Sequence, residues 1–267
     1  MKAVTIGTSI KGSYHYEDGT PCQDAHAYGQ YKNWNFTIVS DGAGSCPKSH
    51  LGSRIAVEES KRLTKLLINR YPDLAFDHRK WALLSSSVFE KVRNRLKRTA
   101  RKRNLKFEDL SCTLILIIHN EEKLYISHIG DGRAGAKINN KWKSILDPVE
   151  GESSGSTCFL TTSFWKEPGY FQSRIFDGHI CSVVAMSDGC ERAVWLIDRF
   201  DEKVNRYEKV NQPFGEFLDY CVDAILVPFS SKNEQLLQVF SDFVKEGNQV
   251  LKNEPDDRTM VLSHYIN

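Results

Sequence analysis

Three times in this sequence an apolar run ends directly on Asp-Gly. Phe36–Ser40 runs into Asp41-Gly42, Leu124–Gly130 into Asp131-Gly132, and Val183–Ser187 into Asp188-Gly189. A fourth acidic pair, Asp256-Asp257, stands just ahead of the apolar stretch Thr259–Leu262. A carboxylate at the end of a strand is held rigidly yet stays open to solvent, and a glycine beside it lets the backbone approach a ligand closely. No histidine or cysteine clusters with these aspartates. An all-oxygen set of this kind suits hard divalent cations such as Mg2+ or Mn2+, which keep several waters. Asp-Gly also makes ordinary turns, so spacing alone leaves both readings open.

The elements that must position these residues follow from periodicity. Lys2–Thr8 reads as a strand, followed by a turn-rich stretch from Lys11 to Asp24 with Gly12, Gly19 and Pro21. Asn35–Ser40 is a strand ending at Asp41. Leu51, Ile55, Leu63, Leu66 and Leu67 recur at helical spacing and predict a helix over about Ser49–Asn69. Trp81, Leu84, Val88, Val92 and Leu96 form one stripe of a second helix, about Asp77–Arg103. The period then changes. Ser111–His119 and Lys123–Ile129 read as strands joined by a polar turn, and Arg133–Ile138 with Lys141–Leu146 as a hairpin. Asp147–Gly169 reads as loop and His179–Met186 as a strand. Helical patterns cover about Glu191–Phe200 and Asn233–Lys252, and Arg258–Tyr265 is the last strand. A helix pair set between blocks of antiparallel strands argues for an α+β fold forming a single domain over residues 1–267, and against an alternating parallel sheet.

Bulk composition is that of an ordinary globule, 40% hydrophobic and 26% charged. A net charge of +2 points to no particular partner. The seven cysteines are odd in number and contain no C-x-x-C pair, which suits neither a zinc site nor a disulfide framework. Cys112 and Cys181 open apolar runs, where a thiol packs as a small hydrophobe, and free thiols fit a reducing cytoplasm. The N-terminal MKAVTIGTSIKG lacks the apolar core of a leader, and no apolar run reaches the roughly 18 residues of a membrane span.

The order of motifs resembles the phosphatase 2C (PPM) family of metal-dependent protein phosphatases. The resemblance rests on Gln23-Asp24-Ala25, the run Val39-Ser40-Asp41-Gly42-Ala43-Gly44-Ser45, Ile129-Gly130-Asp131-Gly132, Met186-Ser187-Asp188-Gly189 and Asp256-Asp257-Arg258-Thr259. Each is weak alone, but all five occur in family order along nearly the whole chain. Pro21-Cys22-Gln23-Asp24-Ala25 and Asp41-Gly42-Ala43-Gly44-Ser45 are most similar to the bacterial PphC-like subgroup. The resemblance implies a four-layer α-β-β-α sandwich of two antiparallel sheets flanked by helices. It implies hydrolysis of phosphoserine and phosphothreonine on proteins by a hydroxide shared between two divalent cations, Mg2+ or Mn2+. Asp41 would bridge the ions, the Gly42 carbonyl would bind one, and Asp188 and Asp256 would hold the other. Asp131 would serve a third, weaker site, and Asp24 would orient the attacking water. The partner implied is a phosphorylated protein, a serine/threonine kinase or its target, with neither nucleic acid nor membrane involved.

Three departures stand out. Gly19 occupies the position where many members carry a phosphate-gripping arginine; His15 or Lys11 are the cations nearby in sequence, and His15 is the candidate taken into the site. Gln23 stands where glutamate is common, and Ala43 where some members have a histidine able to protonate the leaving group. These departures keep open an alternative, a catalytically weak relative that docks a kinase or another acidic or phosphorylated partner. Residues 91–106 carry nine basic residues and no acid. They continue the amphipathic helix, so they read first as a solvated face and second as a docking surface for an acidic protein. No aromatics interleave for base stacking. Glu150–Thr162 falls where the family carries a flap beside the active site. His50 and His128 have no nucleophile to pair with, and Cys46 has no neighbouring base.

Overall fold

The computed structural model describes residues 2–17, 19–149, 157–201, 204–229 and 233–266. The first half runs β1 (Lys2–Ile10), α1 (Ser13–Glu17), β2 (Ala25–Tyr31), β3 (Trp34–Ser40), α2 (Ser49–Arg70), α3 (His78–Arg103), β4 (Leu114–His119), β5 (Lys123–Ile129), β6 (Arg133–Ile138) and β7 (Lys141–Ser144). The second half runs β8 (Gln172–Asp177), β9 (Ile180–Met186), α4 (Glu191–Val194), β10 (Trp195–Asp201), β11 (Arg206–Pro213), α5 (Gly215–Tyr220), a π-helical turn (Cys221–Leu226), α6 (Val227–Phe229), α7 (Asn233–Glu246), α8 (Gln249–Asn253) and β12 (Arg258–Ile266).

Two five-stranded antiparallel sheets result, ordered β1-β12-β9-β6-β7 and β2-β3-β4-β5-β8. Their central strands are buried on both faces, and that explains the unbroken apolar runs. On β4, Leu114, Leu116 and Ile118 face α2 and α3, where they join Ala56, Leu63, Trp81 and Phe89. Ile115 and Ile117, one residue out of phase, meet Ala134, Val183, Ala185 and Val261 of the other sheet. That second sheet turns Val184, Met186 and Leu262 outward onto Leu218, Leu226, Phe240 and Leu251 of the C-terminal helices. The period of two along each strand thus divides one hydrophobic sequence between two cores. The expected layering of helices, sheet, sheet and helices is the observed one.

Helix α3 is capped at both ends. The Asp77 side chain accepts from the Lys80 amide at 2.7 Å, and Asn104 closes the helix in the left-handed conformation at φ 53°. Its buried Trp81 donates from Nε1 to the Ile126 carbonyl at 2.9 Å, seating the helix on the sheet. Of the basic residues in 91–106, Arg93 is structural. Its NH1 donates to the Leu160 carbonyl, and its guanidinium lies 4.8 Å from the Phe107 ring centroid.

Several expectations need correction. The helix expected over Glu191–Phe200 is a single turn, α4, followed by β10, which pairs with β11 as a separate two-stranded ribbon. Trp-Leu-Ile-Asp-Arg-Phe fits either period over so short a run, and pairing with β11 decides it. The helix expected over Asn233–Lys252 breaks at Gly247, where a side chain would strike the Phe243 carbonyl; Asn248 recaps α8 by accepting from the Leu251 amide at 2.8 Å. Strands β2 and β8 were not anticipated, since neither AHAYGQY nor QSRIFD alternates cleanly. All seven cysteines are free thiols. Among the described residues no helix is long and apolar enough to cross a membrane. Residues 150–156 of the expected flap lie outside the described residues.

Ile117 is fully buried between the sheets, whereas Leu83 on α3 is 67% exposed. Ile117→Ala is expected to lower unfolding free energy by about 2–5 kcal/mol, and Leu83→Ala by no more than about 0.5 kcal/mol. Urea denaturation of both variants checks the layering, and equal losses would contradict it.

Candidate active site

The aspartates meet because the strands that carry them end at the same edge of the sandwich. Strand β3 delivers Asp41. Its backbone is stitched to β4 by the Thr113 amide donating to the Asp41 carbonyl at 2.8 Å, and by the Asp41 amide donating to Thr113 Oγ1 at 3.0 Å. Ala25 pairs with Ser40, so Asp24, one residue before β2, lies beside Asp41. Asp131 sits at the crossing from β5 to β6, whose first residue Arg133 pairs with Met186. Asp188 follows β9, and Asp256 precedes β12, with the Ser187 amide donating to the Thr259 carbonyl at 3.0 Å. One sheet therefore supplies Asp24 and Asp41, the other Asp188 and Asp256, and the crossover between them Asp131.

The close approaches explain two of the glycines. A Cβ on Gly42 would lie 2.6 Å from the Gln23 carbonyl oxygen, and one on Gly189 only 2.0 Å from that of Asp257. Both positions let the loops of neighbouring strands in one sheet touch, β2 with β3 and β9 with β12.

The acidic pair at 256–257 divides its labour. Asp257 is 2% exposed, and both of its oxygens are used. Oδ1 accepts from the Gly12 amide at 2.7 Å and binds His15 Nδ1 at 2.9 Å, while Oδ2 accepts from the Gln23 amide at 2.5 Å. Asp257 is thus a tether for the loop after β1 and the loop before β2. Asp256 is exposed, its Oδ1 accepting from the Asp257 amide at 2.7 Å, and it faces the cleft. His15 is itself buried in that tether, and Lys11 places its ammonium 4.6 Å from the Tyr16 ring centroid.

Electrostatics show what the cluster lacks. Burial first, then the charges of Asp24 and Asp188, hold the Asp41 carboxyl well above the ordinary carboxylate range, and Asp41 shares a side-chain hydrogen bond with Asp188. Asp188 is raised to about 6 by burial, Asp131, Asp256 and Glu191, against the lowering effect of the Asp41 bond. Asp24 is raised to about 7, chiefly by burial, although the Ser187 hydroxyl donates to its Oδ2 at 2.7 Å. Burial also raises Asp131, whose Oδ2 accepts from Thr157 Oγ1. Carboxylates this close cannot all ionise without a compensating cation.

The donor set fits a hard divalent cation. Oδ1 of Asp24 and Oδ1 of Asp188 are buried with no hydrogen-bond partner among the described residues, and the carboxylates that converge there offer only oxygen. Among the described residues no three Asp, Glu, His or Cys side chains close into a preformed cage. Mg2+ and Mn2+ retain waters and need only one or two carboxylates each.

Beside Asp188 and Asp256 opens a cleft of about 380 Å³, also lined by Glu191, Arg192, Ile197 and Glu254. Glu191 is paired with Arg133 at 2.9 Å, and Arg133 also donates to Asn211 of the ribbon at 3.0 Å. Sequence patterning did not single out this α4–β10 wall, nor Ser187 and Thr113. Ser187 sits within the third Asp-Gly motif, which was the available signal, whereas Thr113 stands 72 residues from Asp41 and carried none.

In the chelated protein, Asp188 binds its proton more tightly folded than unfolded, so this group's contribution to stability falls as pH rises from 3.8 through about 6. Asp188→Asn, tested in chelator by thermal unfolding, is expected to exceed the parent at neutral pH by about 1–3 kcal/mol. That advantage should vanish as pH falls toward about 4. A variant less stable than the chelated parent at neutral pH would refute the repulsion.

Comparison with known proteins agrees with this geometry. The family model described as Protein phosphatase 2C matches residues 11–238. Serine/threonine-protein phosphatase 3 of Escherichia coli (strain K12) is 23% identical over 267 residues, covering 98% of this chain and 96% of its own. The catalytic domain of the serine/threonine phosphatase PstP, solved in complex with 2 manganese ions, superposes with a TM-score of 0.61 at 16% identity over 99% of both chains. Stp1 from Staphylococcus aureus superposes with a TM-score of 0.63 at 13% identity, over 100% of this chain and 96% of its own. With a family match across most of its length and a sandwich that brings the family's motifs to one edge, the chain belongs to the protein phosphatase 2C family of serine/threonine protein phosphatases.

Proposed function

We propose that residues 1–267 form one phosphatase domain that removes phosphate from phosphoserine and phosphothreonine on proteins with the help of two divalent cations, Mg2+ or Mn2+. The observation that carries the reading is the convergence of Asp24, Asp41 and Asp188 at the ends of strands from both sheets, with buried, unpartnered Oδ1 atoms on Asp24 and Asp188. The two manganese ions in the PstP catalytic domain support it. When bound, such ions supply a hydroxide nucleophile at neutral pH and neutralise the phosphoryl oxygens.

The residues divide the work as follows. Asp41 would hold both ions, with the Gly42 carbonyl on one and with Asp188 and Asp256 on the other, while Asp131 would serve a third site. Asp24, fixed through Oδ2 by Ser187 and with its buried Oδ1 unpartnered, would orient the attacking water. Ala43 offers no imidazole, so the leaving oxygen takes its proton from water. The substrate would be a phosphorylated protein such as a kinase or its target, within a bacterial signalling system, and free thiols throughout fit a cytoplasmic location. The exposed basic face of α3, including Arg98, Arg101 and Lys102, would favour acidic protein partners.

Hydrolysis of p-nitrophenyl phosphate and of a phosphothreonine peptide, measured against Mn2+ concentration, tests the proposal. Asp41→Asn removes a charged ligand from both ions and is expected to abolish turnover while circular dichroism stays that of the parent. Asp188→Asn should do the same, and Asp131→Asn should keep activity at a raised Mn2+ requirement. Parent activity that survives complete chelation would sink the metal mechanism. A folded parent without activity would favour a phosphatase-like docking module.

A further inference from the structure

The cleft beside Asp188 and Asp256 presents a problem of charge. Four of its lining residues are acidic, namely Asp188, Glu191, Glu254 and Asp256, and the substrate group is itself an anion of charge about −1.5 to −2 at neutral pH. The two cations proposed for the site would offset the carboxylates, and a cationic side chain on the cleft wall would add a direct grip on the substrate anion. The cations of the N-terminal segment are engaged elsewhere: His15 is tied to Asp257, and Lys11 lies over Tyr16. A Cβ on Gly19 would meet nothing within 4 Å, so no side chain reaches inward there. Arg133 is bound to Glu191 and Asn211, and Arg258 donates to the Lys245 and Leu251 carbonyls.

Arg192 differs from all of these. It is the only lysine or arginine lining the cleft, it is exposed, and among the described residues it makes no hydrogen bond or ion pair. Its neighbour Glu191 does not neutralise it, because Glu191 is held by Arg133. Its platform is rigid. The preceding Cys190 is fully buried, and the following Ala193, Val194 and Trp195 are buried as well. Trp195 Nε1 donates to Asn211 Oδ1 at 2.8 Å, the same oxygen that accepts from Arg133. Ile197, two residues into β10, adds an apolar surface to the same wall.

We propose that Arg192 grips the phosphoryl group of the substrate from the α4–β10 wall of the cleft, and that Ile197 supports the side chain that bears the phosphate. A guanidinium offers a planar fork of donors that matches two phosphoryl oxygens at once, which an ammonium cannot do. A volume of about 380 Å³ admits a phosphorylated side chain. This inference rests on the proposed phosphatase reading for its substrate but concerns a residue outside the carboxylate set. Arg192 thereby assigns phosphate recognition to the segment where this chain departs from a plain helix.

The test compares Arg192→Ala and Arg192→Lys with the parent, using p-nitrophenyl phosphate for turnover and inorganic phosphate as a competitive inhibitor, both with Mn2+. Arg192→Ala is expected to raise KM and the phosphate inhibition constant together by roughly tenfold, the low end for a charged hydrogen bond because the site is exposed. The change in kcat should be smaller, and the Mn2+ requirement unaltered. Arg192→Lys should fall between the two, since it keeps the charge and loses the fork. Unchanged KM and phosphate inhibition in Arg192→Ala would overturn the proposal, as would an effect confined to the Mn2+ requirement. Calorimetric binding of inorganic phosphate in Mn2+ separates this inference from the parent reading. A parent that binds phosphate through Arg192 without turnover would retain the inference and remove the catalytic function, whereas binding indifferent to Arg192 would remove the inference alone.

Discussion

The organising constraint of this molecule is the repulsion among carboxylates gathered at one edge of its sandwich. Burial and mutual charge push Asp41, Asp188 and Asp24 far from their ordinary titration. Left to themselves these groups would separate. They are held together because each stands at the end of a strand whose other residues belong to a continuous apolar core, so moving one carboxylate outward means unpairing a central strand. The hydrophobic stabilisation of three stacked cores is distributed over dozens of side chains, and the cost of the cluster is local. Cation binding, as proposed, would reverse the sign of that cost and link metal affinity to fold stability through the same oxygens.

Asp257 is the complementary device. It spends its whole carboxylate on Gly12, His15 and Gln23, which come from the segment before α1, from α1 itself and from the segment after it. Through Gln23 it fixes the residue before Asp24, and through its own backbone it fixes Asp256. The Ser187 hydroxyl plays a similar part between the sheets, donating to Asp24 and accepting from the Thr259 amide. These satisfied polar contacts set the spacing of the unsatisfied ones. A half-satisfied network elsewhere in a core would be a defect; here the orphaned oxygens of Asp24 and Asp188 mark where a ligand belongs.

The β10–β11 ribbon gives the site its individual character. Asn211, in the left-handed conformation at φ 42°, joins Arg133, Trp195 and Asp147 in one hydrogen-bond cluster and fastens the ribbon to the catalytic edge. Farther out, the Phe200 and Tyr207 rings meet at a tilted 59° with centroids 5.2 Å apart while remaining 45% and 72% exposed. The carboxylates therefore sit on strand ends, whereas the cleft beside them is walled by a separate two-stranded ribbon fastened through Asn211.

The sequence by itself determined the strands that bury both faces, the two long amphipathic helices and the strand-end aspartates. Each of those signals is local: an unbroken apolar run, a stripe at helical spacing, an Asp-Gly after a strand. The four-layer order was legible through the family resemblance and is realised in the alternation of Leu114, Leu116 and Ile118 against Ile115 and Ile117. What only the tertiary structure decided is whatever depends on partners distant in the chain. Nothing local distinguishes Asp256 from Asp257, but Gly12, His15 and Gln23 claim one and leave the other to the cleft. Trp195–Phe200 satisfies a helical and an extended period equally, and β11 selects the strand. Arg192 reads as one surface arginine among many until the fold places it in the lining of the same cleft as Asp256 and Glu254, because local pattern encodes burial while charge complementarity is a property of three-dimensional proximity.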